Sequence, residues 1–113
     1  MIGISSVAGD RGRNKNYWYG AAKSGLTSVL SAMRQRYHKT NLHVMTICLG
    51  FVSTRMTASL DLPRFLISTP EEAADLILRS LEKKRDVVYN WKWFLVMTII
   101  KVIPEKIFKR LSF

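Results

Sequence analysis

Short apolar runs alternate along this chain with longer segments in which apolar residues recur every three or four positions. "MIGISS" (1–6) is an apolar run closing on two serines, suited to a buried strand that opens into a loop. "VAGDRGRNKN" follows with Gly9, Gly12 and several polar residues, and reads as that loop. From about Asn14 to Lys39, the spacing of Leu26, Val29, Leu30, Met33 and Tyr37 predicts a helix with one apolar stripe. "LHVMTICLGF" is nearly all apolar, as expected of a strand covered on both faces. "VSTRMTASLDLPRF" reads as a polar loop. "STPEEAADLILRSLEKK" then carries a helix start, with Thr69 as N-cap, Pro70 as first helical residue and Glu72 completing a capping box. "DVVYN" is a third short strand. Strand, helix, strand, helix, strand with apolar strands predicts an α/β fold with a parallel sheet built from βαβ units.

The ending departs from this rhythm. "WKWFLVMTIIKVIPEKIFKRLSF" is apolar and aromatic, with Lys92, Lys101, Lys106, Lys109 and Arg110 set against Glu105 as its one acid. A cationic side and an opposite side of Trp93, Phe94, Met97, Ile100, Ile107 and Phe108 make a basic amphipathic helix of the kind that lies in a membrane interface. The other reading is a terminal helix, broken near Pro104, that packs on the domain or on a second subunit. The chain therefore divides at the sequence level into residues 1–90 and a tail of 91–113.

Composition narrows the function classes. A chain of 113 residues with 48% hydrophobic positions is a folded domain, or part of one, with a modest core. Its net charge of +10 favours an anionic partner: nucleic acid, a membrane surface or a phosphate-bearing molecule. No nucleic-acid-binding motif is present and the aromatics do not interleave with basic residues, so nucleic acid is not an expected partner. One cysteine, Cys48 in "VMTICLGF", excludes an intramolecular disulfide and reads as a small core residue. His38 and His43 have no acidic or thiol cluster beside them, so no metal site is read. "MIGISSVAGD" lacks a basic leader and a long apolar segment, and "WFLVMTII" is too short to span a bilayer. The expected location is cytoplasmic, with peripheral attachment at the inner membrane face if the tail binds lipid.

Chemistry concentrates in "YWYGAAKSGL", where Tyr19 and Lys23 stand four apart with Gly20, Ala21 and Ala22 between them. That spacing stacks a phenol and an ammonium on one helix face. An ammonium beside a phenol favours the phenolate, and such a tyrosine can exchange a proton with an alcohol or carbonyl. The small residues between them suggest room for a ligand. A Tyr-x-x-x-Lys pair alone is a weak signal; Ser6, thirteen residues earlier at a strand end, sharpens it. Strand end and helix start face the same crevice in open parallel sheets, where ligands bind.

"ISSVAG", "YWYGAAKSGL" and "CLGFVSTRMT", in this order, resemble the C-terminal half of the short-chain dehydrogenase/reductase family, over about Ile2 to Asn90. The resemblance implies half of a Rossmann-type doubly wound parallel sheet. It implies that Ser6 positions the substrate oxygen, that Tyr19 is the general acid/base, and that Lys23 holds the nicotinamide ribose and supports the tyrosine. It also implies that Gly50, Val52 and Thr54 pack against the nicotinamide, in a segment where Leu49 replaces the family's proline. The cofactor implied is NAD or NADP, the choice not readable, and the reaction is hydride transfer between a secondary alcohol and a ketone. "GDRGR…NYWYGAAKSGL" is similar to bacterial members acting on lipid-linked or nucleotide-linked sugars. The family's glycine-rich cofactor turn is absent before Ser6. A chain starting at mid-domain is expected to bind cofactor poorly, to turn nothing over alone and to associate through an uncovered sheet edge; at full length the resemblance implies a homo-oligomer. The alternative is a non-catalytic remnant or a membrane-surface interaction protein.

Overall fold

The computed structural model describes residues 1–53 and 63–111. Its elements run β1 (Ile2–Ser6), a 3-10 turn (Val7–Gly9), α1 (Tyr17–Arg36), β2 (Met45–Leu49), β3 (Phe51–Val52), a second 3-10 turn (Arg64–Leu66), β4 (Ile67–Ser68), α2 (Pro70–Glu82), β5 (Val87–Tyr89), α3 (Trp91–Val102) and α4 (Glu105–Phe108). The expected α/β alternation is present, with α1 three residues shorter at each end than the sequence periodicity suggests.

β1, β2 and β5 form one parallel sheet in that order. β2 lies at its centre, pairing Ile4 with Ile47 on one side and Ile47 with Val88 on the other. This position explains its composition: Met45 through Cys48 are all buried, because helices cover both faces. On one face Leu30 of α1 lies against Gly3, where any side chain would collide with it. On the other, Leu76 and Ile77 of α2 pack on Met45, Ile47 and Val88. The sheet is therefore wound on both sides, as the sequence led one to expect.

Arg34 of α1 ties this layer together by donating to the Val44 carbonyl at 2.9 Å, the Thr46 hydroxyl at 2.6 Å and the Asp86 carbonyl at 3.0 Å. α2 begins as its sequence predicts: Pro70 is its first residue, and the Thr69 hydroxyl accepts from the Glu72 amide at 3.1 Å.

One feature differs from the sequence reading. The segment after β2 is not all loop, because Phe51 and Val52 pair in parallel with Ile67 and Ser68 as a second small sheet. The chain breaks at Pro104 between α3 and α4, as expected. Of the two readings of the tail, α3 follows the one that packs on the domain: Trp93 and Met97, on the side the other reading turned toward lipid, are buried against Val7 and Cys48.

Candidate active site

Ser6 closes β1, and its position is set by its own backbone. Its hydroxyl accepts from the Ala8 amide at 3.1 Å, capping the turn Val7–Gly9, and keeps its proton for another acceptor. The neighbouring Ser5 faces the other way, sharing a hydrogen bond with the Thr27 hydroxyl at 2.6 Å and donating to the Lys23 carbonyl at 3.1 Å. These bonds fix α1 against β1 at the turn of helix that carries the proposed chemistry.

Two glycines allow the approach. At Gly9 an added Cβ would lie 2.6 Å from the Ser24 amide nitrogen and 2.7 Å from the Lys23 carbonyl carbon. At Gly20 it would lie 2.8 Å from the Ala8 carbonyl oxygen. Backbone packs on backbone at both points, which only a missing side chain permits. Gly20 thus admits the chain's own loop, whereas Ala21 and Ala22 are exposed. Gly20 serves helix placement and none of the three small residues lines the cavity, a correction to the expectation that they leave room for a ligand.

With α1 so placed, Tyr19 and Lys23 are half-buried at the mouth of β1. The Lys23 ammonium donates to the Ile4 carbonyl at 3.1 Å and lies 5.7 Å from the centre of the Tyr19 ring. Ser6, Tyr19 and Lys23 all line one cavity of about 590 Å³, together with Gly50 and Val52. Thr54 lies outside the described residues.

The opposite wall is apolar and comes from the tail. Trp93, Val96, Met97 and Ile100 of α3 line the same cavity, with Leu66 between them and β3. Trp93 donates through Nε1 to the Leu66 carbonyl at 3.1 Å and meets Phe51 edge-on at 5.3 Å. A side chain at Gly50 would run into the Trp93 indole, so this glycine is required by contact rather than by backbone angle. Arg13 and Asn16 also reach the cavity, which the sequence had not singled out.

A polar clamp behind the cavity holds α3 in place. Arg11 donates to the Ile100 carbonyl at 2.5 Å and the Ile103 carbonyl at 2.6 Å, pairs with Glu105 at 3.0 Å, and stacks on Phe108 at 3.7 Å. The Asp10 side chain, 4% exposed, accepts from the Tyr89 hydroxyl at 2.7 Å and pairs with Lys101 at 3.4 Å. Burial, then the hydrogen bond to Asp10, pushes the Tyr89 phenol far above its ordinary value. Burial likewise raises the Cys48 thiol, partly offset by its hydrogen bond with Tyr89. Sequence reading passed over Asp10 and Arg11 as loop charges. Their hydrogen-bond partners lie 79 to 94 residues away, so no local pattern marks them. Among the described residues, no cluster of metal-binding side chains is present.

The family model described as short chain dehydrogenase matches residues 1–64, more than half of the chain and the part that carries Ser6, Tyr19, Lys23 and Gly50. The chain belongs to the short-chain dehydrogenase family. An uncharacterized oxidoreductase of Mycobacterium tuberculosis is 33% identical over 98% of this short-chain dehydrogenase chain, which covers 45% of that relative. The ketoacyl reductase HetN of a Nostoc species is 34% identical over 80% of the chain and 33% of its own length. A solved short-chain dehydrogenase from Sphingobium yanoikuyae in complex with NADPH superposes with a TM-score of 0.69 over 92% of this chain and 45% of that one. At 17% identity that likeness shows the Rossmann-type fold. The chain spans less than half the length of the Mycobacterium and Sphingobium proteins.

Proposed function

We propose that the chain carries the proton-transfer half of an NAD(P)-dependent oxidoreductase that interconverts a secondary alcohol and a ketone. The observation that carries this reading is the meeting of Ser6, Tyr19 and Lys23 on one cavity of about 590 Å³, a size in the usual range for small-molecule sites.

The residues present fit the nicotinamide end of a dinucleotide. Lys23 has used one of its three protons on Ile4, leaving two for ribose hydroxyls, and Gly50 and Val52 offer a surface for the ring. The dinucleotide, when bound, supplies or accepts the hydride. The chain's own groups do the rest. Ser6 donates its hydroxyl proton to the substrate oxygen and orients it. Tyr19 gives its phenolic proton to that oxygen in the reducing direction and takes one back in the oxidising direction. Lys23, on the same helix face, favours the phenolate that remains. The apolar wall of Trp93, Val96, Met97 and Ile100 excludes water and suits a substrate with an apolar portion. A lipid-linked sugar meets that demand better than a nucleotide-linked one.

The test uses this chain joined to the part of the Mycobacterium relative that it does not cover, with NADPH or NADH and a panel of ketones. Tyr19→Phe is expected to lower kcat by about 10²–10⁴-fold, the usual share of general acid catalysis, while the far-UV spectrum is unchanged. Near-normal turnover by the phenylalanine variant would remove Tyr19 from the mechanism.

A further inference from the structure

The inner side of α3 is accounted for by the core and the cavity; its outer side is not. Trp91 (67% exposed), Leu95 (54%), Ile99 (64%) and Val102 (74%) follow one another at offsets of four, four and three along that outer side, with Phe94 beside them. This spacing makes a continuous apolar stripe over three helical turns, unlike the scattered apolar residues normal on a surface. The helix cannot roll to hide it. Trp93 is bonded to Leu66, Lys101 to Asp10, and Arg11 to the carbonyls of Ile100 and Ile103, so the outward face is fixed.

The charge of the tail that follows the stripe is one-sided. α4 and the residues after it add exposed Ile107 with Lys106, Lys109 and Arg110. The one acid in the tail, Glu105, is already paired with Arg11 at 3.0 Å. A second copy of the chain seated on this face would bring like charges together, which disfavours a symmetric pair. A helix of 12 residues reaches about 18 Å, too short to cross a bilayer core, and no described helix is long and apolar enough to do so.

We propose that α3 and α4 form a docking face for an anionic membrane surface. The stripe of Trp91, Leu95, Ile99 and Val102 seats at the boundary of headgroups and acyl chains, and Lys106, Lys109 and Arg110 meet anionic headgroups. This face is not the side Trp93, Met97 and Ile100 occupy, so docking leaves the cavity wall intact. The inference does not depend on proton transfer by Tyr19.

Flotation of the 113-residue chain with vesicles of phosphatidylcholine, and of phosphatidylcholine mixed with phosphatidylglycerol, tests it. The chain is expected to float with the anionic vesicles at least about tenfold more than with the neutral ones, and its tryptophan emission to shift to the blue. Leu95→Glu with Ile99→Glu should reduce flotation at least about tenfold without moving the thermal midpoint, since both sites are exposed. Lys106→Gln, Lys109→Gln and Arg110→Gln should each weaken it about fivefold. Equal partition to both vesicle types, no flotation at all, or undiminished flotation of the stripe variant would overturn the proposal. So would a light-scattering mass that falls from dimer to monomer in the stripe variant while wild type ignores vesicles, which would assign the face to a second copy. Tyr19→Phe should float like wild type, which separates this outcome from the fate of the reductase reading.

Discussion

Gly20→Ala and Gly25→Ala make the same change five residues apart on α1, and are expected to move stability in opposite directions. Both glycines have ordinary negative φ, so neither is needed for a special backbone angle. Each substitution removes the helix-interior penalty of glycine, a gain of about 0.5–1 kcal/mol. At Gly25 nothing lies within 4 Å of the added methyl, so the gain stands alone. At Gly20 the methyl would sit 2.8 Å from the Ala8 carbonyl oxygen, and helix and loop must part by about half an ångström to restore ordinary contact. Overpacking of that kind costs about 1–3 kcal/mol, which offsets or exceeds the propensity gain and leaves a net loss of up to about 2.5 kcal/mol. Urea unfolding followed by far-UV circular dichroism reads both shifts, provided the slopes agree with wild type. A Gly20→Ala chain as stable as the Gly25→Ala chain would refute the view that bare backbone contact with Ala8 sets the position of Tyr19 and Lys23.

Two other changes probe the clamp behind the cavity. Arg11→Ala removes two charged hydrogen bonds to helix-end carbonyls and the contact with Phe108, while the exposed Glu105 pair contributes little. The expected loss is about 2–4 kcal/mol in urea unfolding, only partly recovered by lysine, whose point charge cannot span both carbonyls; a loss under about 0.5 kcal/mol would count against the clamp. Alkali should destabilise the fold, because Cys48 and Tyr89 are held above their ordinary values of 9.0 and 10.0. The unfolded chain then releases those protons first, so their contribution is intact below about pH 9 and declines as pH rises beyond it. Urea midpoints measured from about pH 8 to about pH 10.5 should fall, with Tyr89→Phe flattening the upper part; a level wild-type profile would contradict the buried network.

What could be read from the chain itself was what local spacing encodes. The run of apolar residues in "MTICL" announces a strand covered on both faces, and Thr69-Pro70 announces a helix start. Pro104 announces a break, and all three sit where expected. That Ser6, Tyr19 and Lys23 share one cavity was legible for the same reason: a strand end and one helix face fix their directions. Tertiary structure decided everything that depends on distant partners. The sequence grouped Trp93, Phe94, Met97 and Ile100 on one side of α3, but Trp91, Leu95, Ile99 and Val102 are apolar too, so periodicity could not tell the side that enters the core from the side that stays out. Trp93 and Met97 turn inward because Val7, Cys48 and Leu66 are there to receive them, and Arg11 finds its carbonyls 89 and 92 residues away. Gly20 shows the same limit, since its function lies in the loop it touches and not in its neighbours along the helix. Periodicity reports which residues share a face; only closure of the chain determines what that face meets.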